Sequence, residues 1–411
     1  MTDNTQTSKV GLQHIKYLAE TIGGRGSCTE GEREAGTYVA DQLHNMGVSQ
    51  VHNQRFLGVA STYRPYVLAF SSALLGTILV WSFDTQVALL LGSILNALGA
   101  LGMWAETDIS PSWMRRFIPK RESLNVIGIL PAIKKPNRKA VLCAHLDTHR
   151  TPVFYSSPTW HKLFGALVAA GLLSMFITAV FYGLGAVLAW DWVRWIGLGL
   201  ASMVIFSLSL CIQADLTPHS PGANDNASGV AAVLAIADRL VQTPLENTEV
   251  WTVFTGCEEV GAYGMQSFLD TYAANFDDEV VFLILDEVGF GVPKFLSKDG
   301  IIRRYQTHPL AMELASRAAR SLPEIDVLEK TGIAYTDALV ATKRGFIALS
   351  IGTHVDSHEE EVSHWHQMSD TVETIQPATL EKIHTFTWAL MKEIDQWKGL
   401  PNGKLNLEKK L

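Results

Sequence analysis

Five short segments of the sequence carry histidine or acidic side chains of the types that bind divalent metal ions. They are residues 144–147 (AHLD), 222–229 (GANDNASG), 257–261 (CEEVG), 285–289 (LDEVG) and 364–371 (HWHQMSDT). Imidazole nitrogens and carboxylate oxygens are common protein ligands of zinc. Two metal ions held side by side by such ligands promote hydrolytic reactions. The residue types therefore indicate metal-assisted hydrolysis, provided that the fold brings the five segments together.

The first two segments each contain one candidate ligand. His145 follows an apolar stretch that is predicted to be a strand, and Asp147 is placed to reach its other ring nitrogen. A carboxylate there would fix the tautomer of a metal-binding histidine and raise its basicity. Asp225 lies among small residues directly before a predicted helix, where it could bridge two cations or cap the helix N-terminus. Taken singly, each motif fits a structural role at least as well.

The third segment contains two adjacent acids, Glu258 and Glu259, after a predicted buried strand. Like charges at this distance repel each other unless a cation or a shared proton relieves them. One carboxylate could bind a metal ion while the other accepts a proton from metal-bound water. The alternative interpretation is a pair of solvated loop acids.

The last two segments supply one candidate ligand each. Asp286 closes an apolar strand and should face the crevice at the strand ends, while His366 is preferred to His364 as a ligand. Asp370 could support His366 or cap the following turn.

Hydrophobic periodicity predicts the elements that would position these residues. We expect an amphipathic helix that starts with a capping box at residues 29–32 and ends near Gly47. Further strands are predicted at 123–130, 139–144, 249–254 and 279–285, and further helices at 227–241 and 378–397. Strands that alternate with helices indicate an α/β fold with a mostly parallel sheet, in which ligands bind beyond the carboxyl ends of the strands.

In their order along the chain, the motifs HxD, GANDNASG, CEEVG, LDEVG and HxxxDT resemble the M28 family of zinc aminopeptidases. The resemblance covers the polar parts of the chain, including Gly23-Gly24-Arg25. It implies a three-layer α/β/α domain with a mostly parallel mixed sheet, and two co-catalytic Zn²⁺ ions. The implied ligands are His145 and Asp286 for one ion, Glu259 and His366 for the other, and Asp225 as the bridge.

The same resemblance implies that Glu258 is the general base and that Asp147 supports His145. The implied reaction is cleavage of a peptide bond by a metal-bound hydroxide, which would remove N-terminal residues from peptides with a free N-terminus. One alternative is a glutaminyl-cyclase-like or other amide-acting enzyme on the same site. Another is a non-catalytic membrane scaffold with a peptidase fold. The complete set of ligands and base favours the peptidase.

The sequence departs from that family's pattern in three places. Two apolar insertions flank the site, and the stretch 336–338 (TDA) ends in alanine where the family usually has histidine, so Asp337 is given no role. A polar cluster of His354, Asp356, His358 and residues 359–361 could line the substrate cleft or form a solvated loop. For His219, a loop position is favoured over a contact with the site.

The insertions contain four uncharged apolar runs, at 66–81, 87–104, 163–190 and 195–212. About 20 apolar residues let a helix cross a bilayer, and tryptophans lie near the run ends as at a membrane interface. We therefore predict a catalytic domain made of 1–62, 120–158 and 214–411. Residues 63–119 and 159–213 would form two transmembrane hairpins, with buried core helices as the alternative.

Charge and composition agree with a multi-pass protein of the cytoplasmic membrane. Only 18% of the residues are charged, against about 25% in soluble domains. Basic residues flank the runs on the domain side, whereas the two turns carry only Arg194, so the catalytic domain should be cytoplasmic. The net charge is −8 without a basic tract, which argues against nucleic-acid binding.

Residues 1–55 show no signal-peptide pattern, and the four cysteines are expected to be free thiols. The expected partners are the lipid bilayer and a peptide substrate.

Overall fold

The computed structural model describes residues 11–332, 334–355 and 364–399. Its strands are β1 (Gln50–Gly58), β2 (Arg121–Leu130), β3 (Arg138–His145), β4 (Thr248–Thr255), β5 (Val281–Leu285), β6 (Val292–Asp299), β7 (Tyr305–Gln306), β8 (Leu328–Thr331) and β9 (Ile347–His354). They form one mixed sheet in the order β1-β2-β4-β3-β5-β9-β6-β7, with β8 beside β6.

The centre of the sheet is parallel and most of its flanks are not. Strands β4, β3, β5 and β9 run parallel, whereas β1, β2, β6 and β7 join their neighbours on this path antiparallel. The prediction of a mostly parallel sheet is therefore correct only for the centre. Residues 286–291 alone separate β5 from β6, and this is too short for the crossover of about a dozen residues that a parallel neighbour requires.

Helices cover both faces of the sheet. The main helices are α1 (Glu30–Asn45), α2 (Tyr63–Ser82), α3 (Gln86–Thr107), α4 (Pro158–Leu188), α5 (Val193–Asp215), α6 (Gly229–Gln242), α7 (Tyr263–Tyr272), α8 (Pro309–Arg320), α9 (Asp337–Lys343) and α10 (Pro377–Gln396). Leu142 of β3 belongs to the core cluster that contains buried side chains of α1, α6, α8 and α10. Its neighbours Val141 and Cys143 belong to the cluster on the other face, with α7 and α9, because side chains alternate along a strand.

The six strands and helices predicted between residues 123 and 397 lie within two residues of β2, β3, β4, β5, α6 and α10. The expected capping box is wrong. Thr29 precedes α1, but its hydroxyl donates to the Gly26 carbonyl. Glu32 is buried and accepts hydrogen bonds from the backbone N–H groups of Cys28 and Cys257. A long-range contact has replaced the local cap, and it links α1 to the loop after β4.

The four apolar runs form α2, α3, α4 and α5, and each helix is long and apolar enough to cross a membrane. Small residues bring them close together: a Cβ atom on Gly76 would lie 2.9 Å from the carbonyl oxygen of Gly92. Large apolar side chains such as Ile78, Leu101 and Val187 point outward and are exposed. The bundle is thus packed inside and apolar outside.

Both hairpins leave the sheet at the edge where the parallel strands end. Strands β1 and β4 run in the same direction, because each is antiparallel to β2. Helix α2 begins shortly after β1 ends, and α4 follows the end of β3. The apolar bundle is therefore attached at the carboxyl edge of the central strands.

Candidate metal centre and active site

The five motifs meet at this carboxyl edge. The strands β3, β4 and β5 each end at or just before a metal-competent residue, and two further segments, before α6 and after β9, complete the set. The residues brought together are His145, Asp225, Glu258, Glu259, Asp286 and His366, which all line one cavity.

Asp225 lies between two imidazoles. Its Oδ1 is 3.2 Å from Nε2 of His145, and its Oδ2 is 3.1 Å from Nε2 of His366. On the outer sides, His145 Nε2 is 3.3 Å from Asp286 Oδ1, and His366 Nε2 is 3.5 Å from Glu259 Oε2. The donor atoms form two adjacent groups, and Asp225 presents one oxygen to each.

This donor set fits two divalent cations. Oε1 of Glu258 and Oε1 of Glu259 are buried and have no hydrogen-bond partner among the described residues. A buried acceptor without a partner costs free energy, and close carboxylates repel each other. Cations would relieve both effects, and carboxylate oxygens with imidazole nitrogens are typical zinc ligands.

The pKa values of the three buried acids Asp225, Glu259 and Glu258 are shifted in different directions. Burial alone would raise the pKa of Asp225, but hydrogen bonds from His145 and His366 hold it well below its usual range. Burial raises the pKa of Glu259 well above its usual range, and Asp225 adds to this shift. Burial likewise raises the pKa of Glu258, although His145 opposes the shift. Asp225 is thus the most readily ionised of the three.

Asp147 organises the loop that carries the acidic pair. Its Oδ1 accepts the backbone N–H of Glu258 at 3.0 Å, and its Oδ2 accepts the N–H of Glu259 at 3.2 Å and the hydroxyl of Ser27 at 2.6 Å. The expected hydrogen bond from His145 to this carboxylate is replaced by one to the backbone carbonyl of Asp147. Nδ1 of His145 lies 3.0 Å from the Asp147 carbonyl oxygen and 3.7 Å from its carboxylate. The carbonyl therefore fixes the tautomer.

Arg25 holds together the segments that carry His145 and Asp225. Its guanidinium is fully buried and donates, among the described residues, to backbone carbonyls only, including those of Leu146 and Gly222. Burial lowers its pKa to about 10, opposed by nearby carboxylates that include Asp370. The sequence did not predict this role for Arg25, which was noted only as part of the family resemblance. Its five acceptors come from three segments that are far apart in the chain.

The turn before α6 depends on a glycine and on Asp370. Gly222 has φ of +59°, and a Cβ atom there would lie 2.3 Å from Thr148, so a side chain is excluded. Asp370 accepts the backbone N–H groups of Asn224 and Asp225 at 2.7 and 3.0 Å. Burial raises the pKa of Asp370 to about 7. Asp370 thus positions Asp225, whereas the sequence suggested support for His366 or a turn cap.

An aromatic group beside His366 was not found from the sequence. The ring of His149 stacks on His366 with centroids 3.8 Å apart, and Tyr155 meets His366 edge-on at 4.6 Å. Nδ1 of His149 donates to the Arg150 carbonyl, so Nε2 is left to accept from Tyr63 Oη at 3.2 Å. Burial keeps the pKa of His149 well below its usual value. His149 was detectable only as a histidine near the HxD motif.

The remaining candidates lie outside the two donor groups or outside the described residues. His364 is hydrogen-bonded to Ser369 outside both donor groups, and His219 packs over Gly26. Asp337 accepts from Thr255 beneath the acidic loop, and burial raises its pKa to about 6. In the polar cluster that could have lined the cleft, Asp356, His358 and residues 359–361 lie outside the described residues.

Comparisons with known proteins agree with this fold. The zinc aminopeptidase BSAP of Bacillus subtilis superposes with a TM-score of 0.56 at 16% identity, over 94% of this chain and 95% of that one. A leucine aminopeptidase precursor of Bacteroides thetaiotaomicron gives 0.55 at 17% identity, over 94% and 96%. A glutaminyl cyclase of the same organism gives 0.54 at 16%, over 94% and 97%.

A curated relative, the probable lipoprotein aminopeptidase LpqL of Mycobacterium tuberculosis, is 30% identical over 123 residues. This match covers 29% of the chain and 23% of the relative, so the chain spans less than a quarter of that protein's length. The solved structures, all below 25% identity, show that the chain shares their fold. Residues 210–391, which include four of the five candidate metal ligands, match the sequence profile described as Peptidase family M28.

Proposed function

We propose that the chain is a co-catalytic di-zinc hydrolase that removes N-terminal residues from peptides. The observation that carries this proposal is the position of Asp225, whose two carboxylate oxygens face two different imidazoles at 3.2 and 3.1 Å. A carboxylate placed in this way suits a bridge between two cations. The proposed ligands are His145 and Asp286 on one side, and Glu259 and His366 on the other.

Zinc ions bound there would polarise the scissile carbonyl and lower the pKa of bound water towards neutrality. The chain itself supplies the proton transfer. Glu258 lines the cavity beside the donors, and its Oε1 has no protein partner among the described residues. Glu258 would accept the proton of the attacking water and deliver it to the leaving amine. Asp147 would keep Glu258 in position by holding its backbone N–H.

The proposed substrate class rests on a carboxylate that is not assigned to metal binding. Glu287 lines the cavity beside the proposed ligands without being one of them, and Lys294 lines the same cavity. The Glu287 carboxylate suits the ammonium group of a peptide with a free N-terminus. A glutaminyl-cyclase-like reaction is the second candidate, because the fold is shared with glutaminyl cyclases. Two adjacent donor groups favour the two-metal hydrolase.

Purified protein in detergent should contain two zinc ions per chain and should hydrolyse aminoacyl nitroanilides. A chelator should abolish hydrolysis, and added zinc should restore it. N-acetylated versions of the same substrates serve as the control and should not react. Cyclisation of an N-terminal glutamine substrate, without hydrolysis of the nitroanilides, would establish the second candidate instead. Zinc-independent hydrolysis would contradict both.

We further propose that α2 to α5 are transmembrane helices, so that the protein is multi-pass with its catalytic domain in the cytoplasm. The support is their length, the exposed apolar outer surface of the bundle and the bias of basic residues towards the domain. Arg194, the basic residue of the two distal turns, is paired with Asp84 of the other turn. The distal end therefore presents little net positive charge.

Cysteine labelling of intact cells tests this topology. Ser82→Cys places a thiol at the distal end of α2, and Ser321→Cys places one on the surface of the catalytic domain; both positions are exposed. A membrane-impermeant maleimide should label the Ser82 variant in intact cells and the Ser321 variant only after lysis. The reverse pattern would invert the topology, and labelling of both variants in intact cells would argue against a cytoplasmic domain.

A further inference from the structure

The cavity at the metal centre continues between the four apolar helices. It has a volume of about 210 Å³, and its polar end contains the proposed metal ligands. Each helix of the bundle also contributes to its wall: Phe70 from α2, Met103 from α3, Val168 from α4 and Leu210 from α5. The bundle is therefore a wall of the candidate active site as well as the proposed membrane anchor.

The cavity reaches well into the bundle. At 1.5 Å per residue, Val168 lies roughly 15 Å along α4 from its first residue, and Leu210 lies roughly 7 Å from the end of α5. If these helices span a bilayer, this depth passes the interface and enters the hydrocarbon region. A short polar peptide would leave this part of the cavity unused.

Aromatic side chains connect the polar end of the cavity with its apolar end between the helices. Tyr155 contacts His366 edge-on and lies 5.5 Å, between ring centroids, from Phe164 of α4. Phe164 in turn stacks on Phe154 at 4.7 Å. The metal ligand His366 is thus joined to the bundle by ring contacts, and an apolar group can follow them from the metal centre without crossing a charged surface.

We propose that the natural substrate carries a long apolar group, which lies between α2, α3, α4 and α5 while its scissile amide lies at the metal centre. This inference rests on the proposed function. An apolar cavity excludes water and binds apolar ligands, and Glu287 at its polar end suits the free amine of the same molecule. The apolar group is either an attached alkyl chain or a run of hydrophobic residues, and the two arms of the experiment below distinguish these sources.

A series of alanyl-alkylamides with chains of two to twelve carbons tests the length of the group. Burial of a methylene is worth a factor of up to about four in kcat/KM, so kcat/KM should rise with chain length and level off when the cavity is full. Alanyl peptides that end in one to four leucines form the second arm. Whichever arm shows the rise identifies the source of the apolar group.

Val168→Phe narrows the cavity, and Val180→Phe makes the same change on the outer surface of α4. Val180 is exposed and does not line the cavity. We expect Val168→Phe to lower the ratio of kcat/KM for dodecyl over ethyl substrate by about tenfold or more, and Val180→Phe to leave this ratio unchanged. Partitioning into detergent cancels when this ratio is compared between each variant and the wild type in the same detergent. Leu210→Phe repeats the test from α5 should Val168→Phe fail to fold.

Thermal stabilisation by a non-cleavable dodecyl analogue, relative to its ethyl analogue, gives a readout without turnover. The dodecyl compound should raise the melting temperature further, and Val168→Phe should remove the difference. Zinc-dependent hydrolysis with a flat chain-length profile would overturn this inference and leave the proposed function standing. Absence of hydrolysis would overturn the proposed function, and the melting temperatures would then decide whether the cavity binds an apolar chain.

Discussion

Asp225→Ala should reduce zinc content from two ions per chain to one or none and abolish peptide hydrolysis. The reason is that both carboxylate oxygens of Asp225 are committed, one towards His145 and one towards His366. Removal of an outer ligand such as Asp286 would affect one donor group, whereas removal of Asp225 affects both. Mutation of residues that only hydrogen-bond to a metal ligand typically lowers metal affinity by about 10- to 100-fold. Loss of a ligand that bridges both ions should lower the affinity further.

Zinc analysis after dialysis, combined with the nitroanilide assay, measures this effect. Asp238→Ala is the matched control, since Asp238 is an exposed acid on α6, the helix that follows the Asp225 turn. The control should keep two zinc ions and wild-type activity. Two tightly bound zinc ions in Asp225→Ala would show that Asp225 does not bridge, and the two donor groups would then have to be independent sites.

Glu258→Gln should keep both zinc ions and lose activity by about 10²- to 10⁴-fold in kcat, the range typical of a general base. Glutamine has nearly the same shape but cannot accept the proton from water. The backbone bond from Glu258 to Asp147 is unaffected by this change, so the loop should remain in place. The acid limb of the wild-type kcat/KM profile, where Glu258 becomes protonated, should also disappear.

Steady-state kinetics against pH and zinc analysis of the same samples provide the test. Glu313→Gln is the control, because Glu313 lies exposed on α8 away from the site. Near-wild-type kcat in Glu258→Gln would remove Glu258 from its proposed role. Loss of zinc together with activity would mean that Glu258 binds metal, and the base would have to be sought elsewhere in the cavity.

Asp225 and Glu258, the residues changed in these two variants, are held in position by different neighbours. Asp147 and Asp370 act on backbone N–H groups: Asp147 holds the acidic loop, and Asp370 holds the turn with Asp225. Arg25 complements them by donating to backbone carbonyls of the segments that carry His145 and Asp225. A site built from loop ends thereby gains a rigid frame, which catalytic geometry requires.

The sequence by itself determined which residues stand at the strand ends. Apolar runs of strand length place His145, Glu258 and Asp286 where parallel strands finish, and this edge is the same for neighbouring parallel strands. The four apolar helices were also predictable from the sequence, since the length of a run and its lack of charge are local properties. The flanks of the sheet were not, because antiparallel or parallel pairing depends on connection length and on distant partners.

Only the tertiary structure decided what surrounds these residues. The five acceptors of Arg25, the stack of His149 on His366 and the link from Glu32 to Cys257 all join segments far apart in the chain. The continuity of the metal centre with the apolar bundle is of the same kind. Local periodicity specifies an element and its faces, whereas long-range packing specifies which faces and loop ends meet.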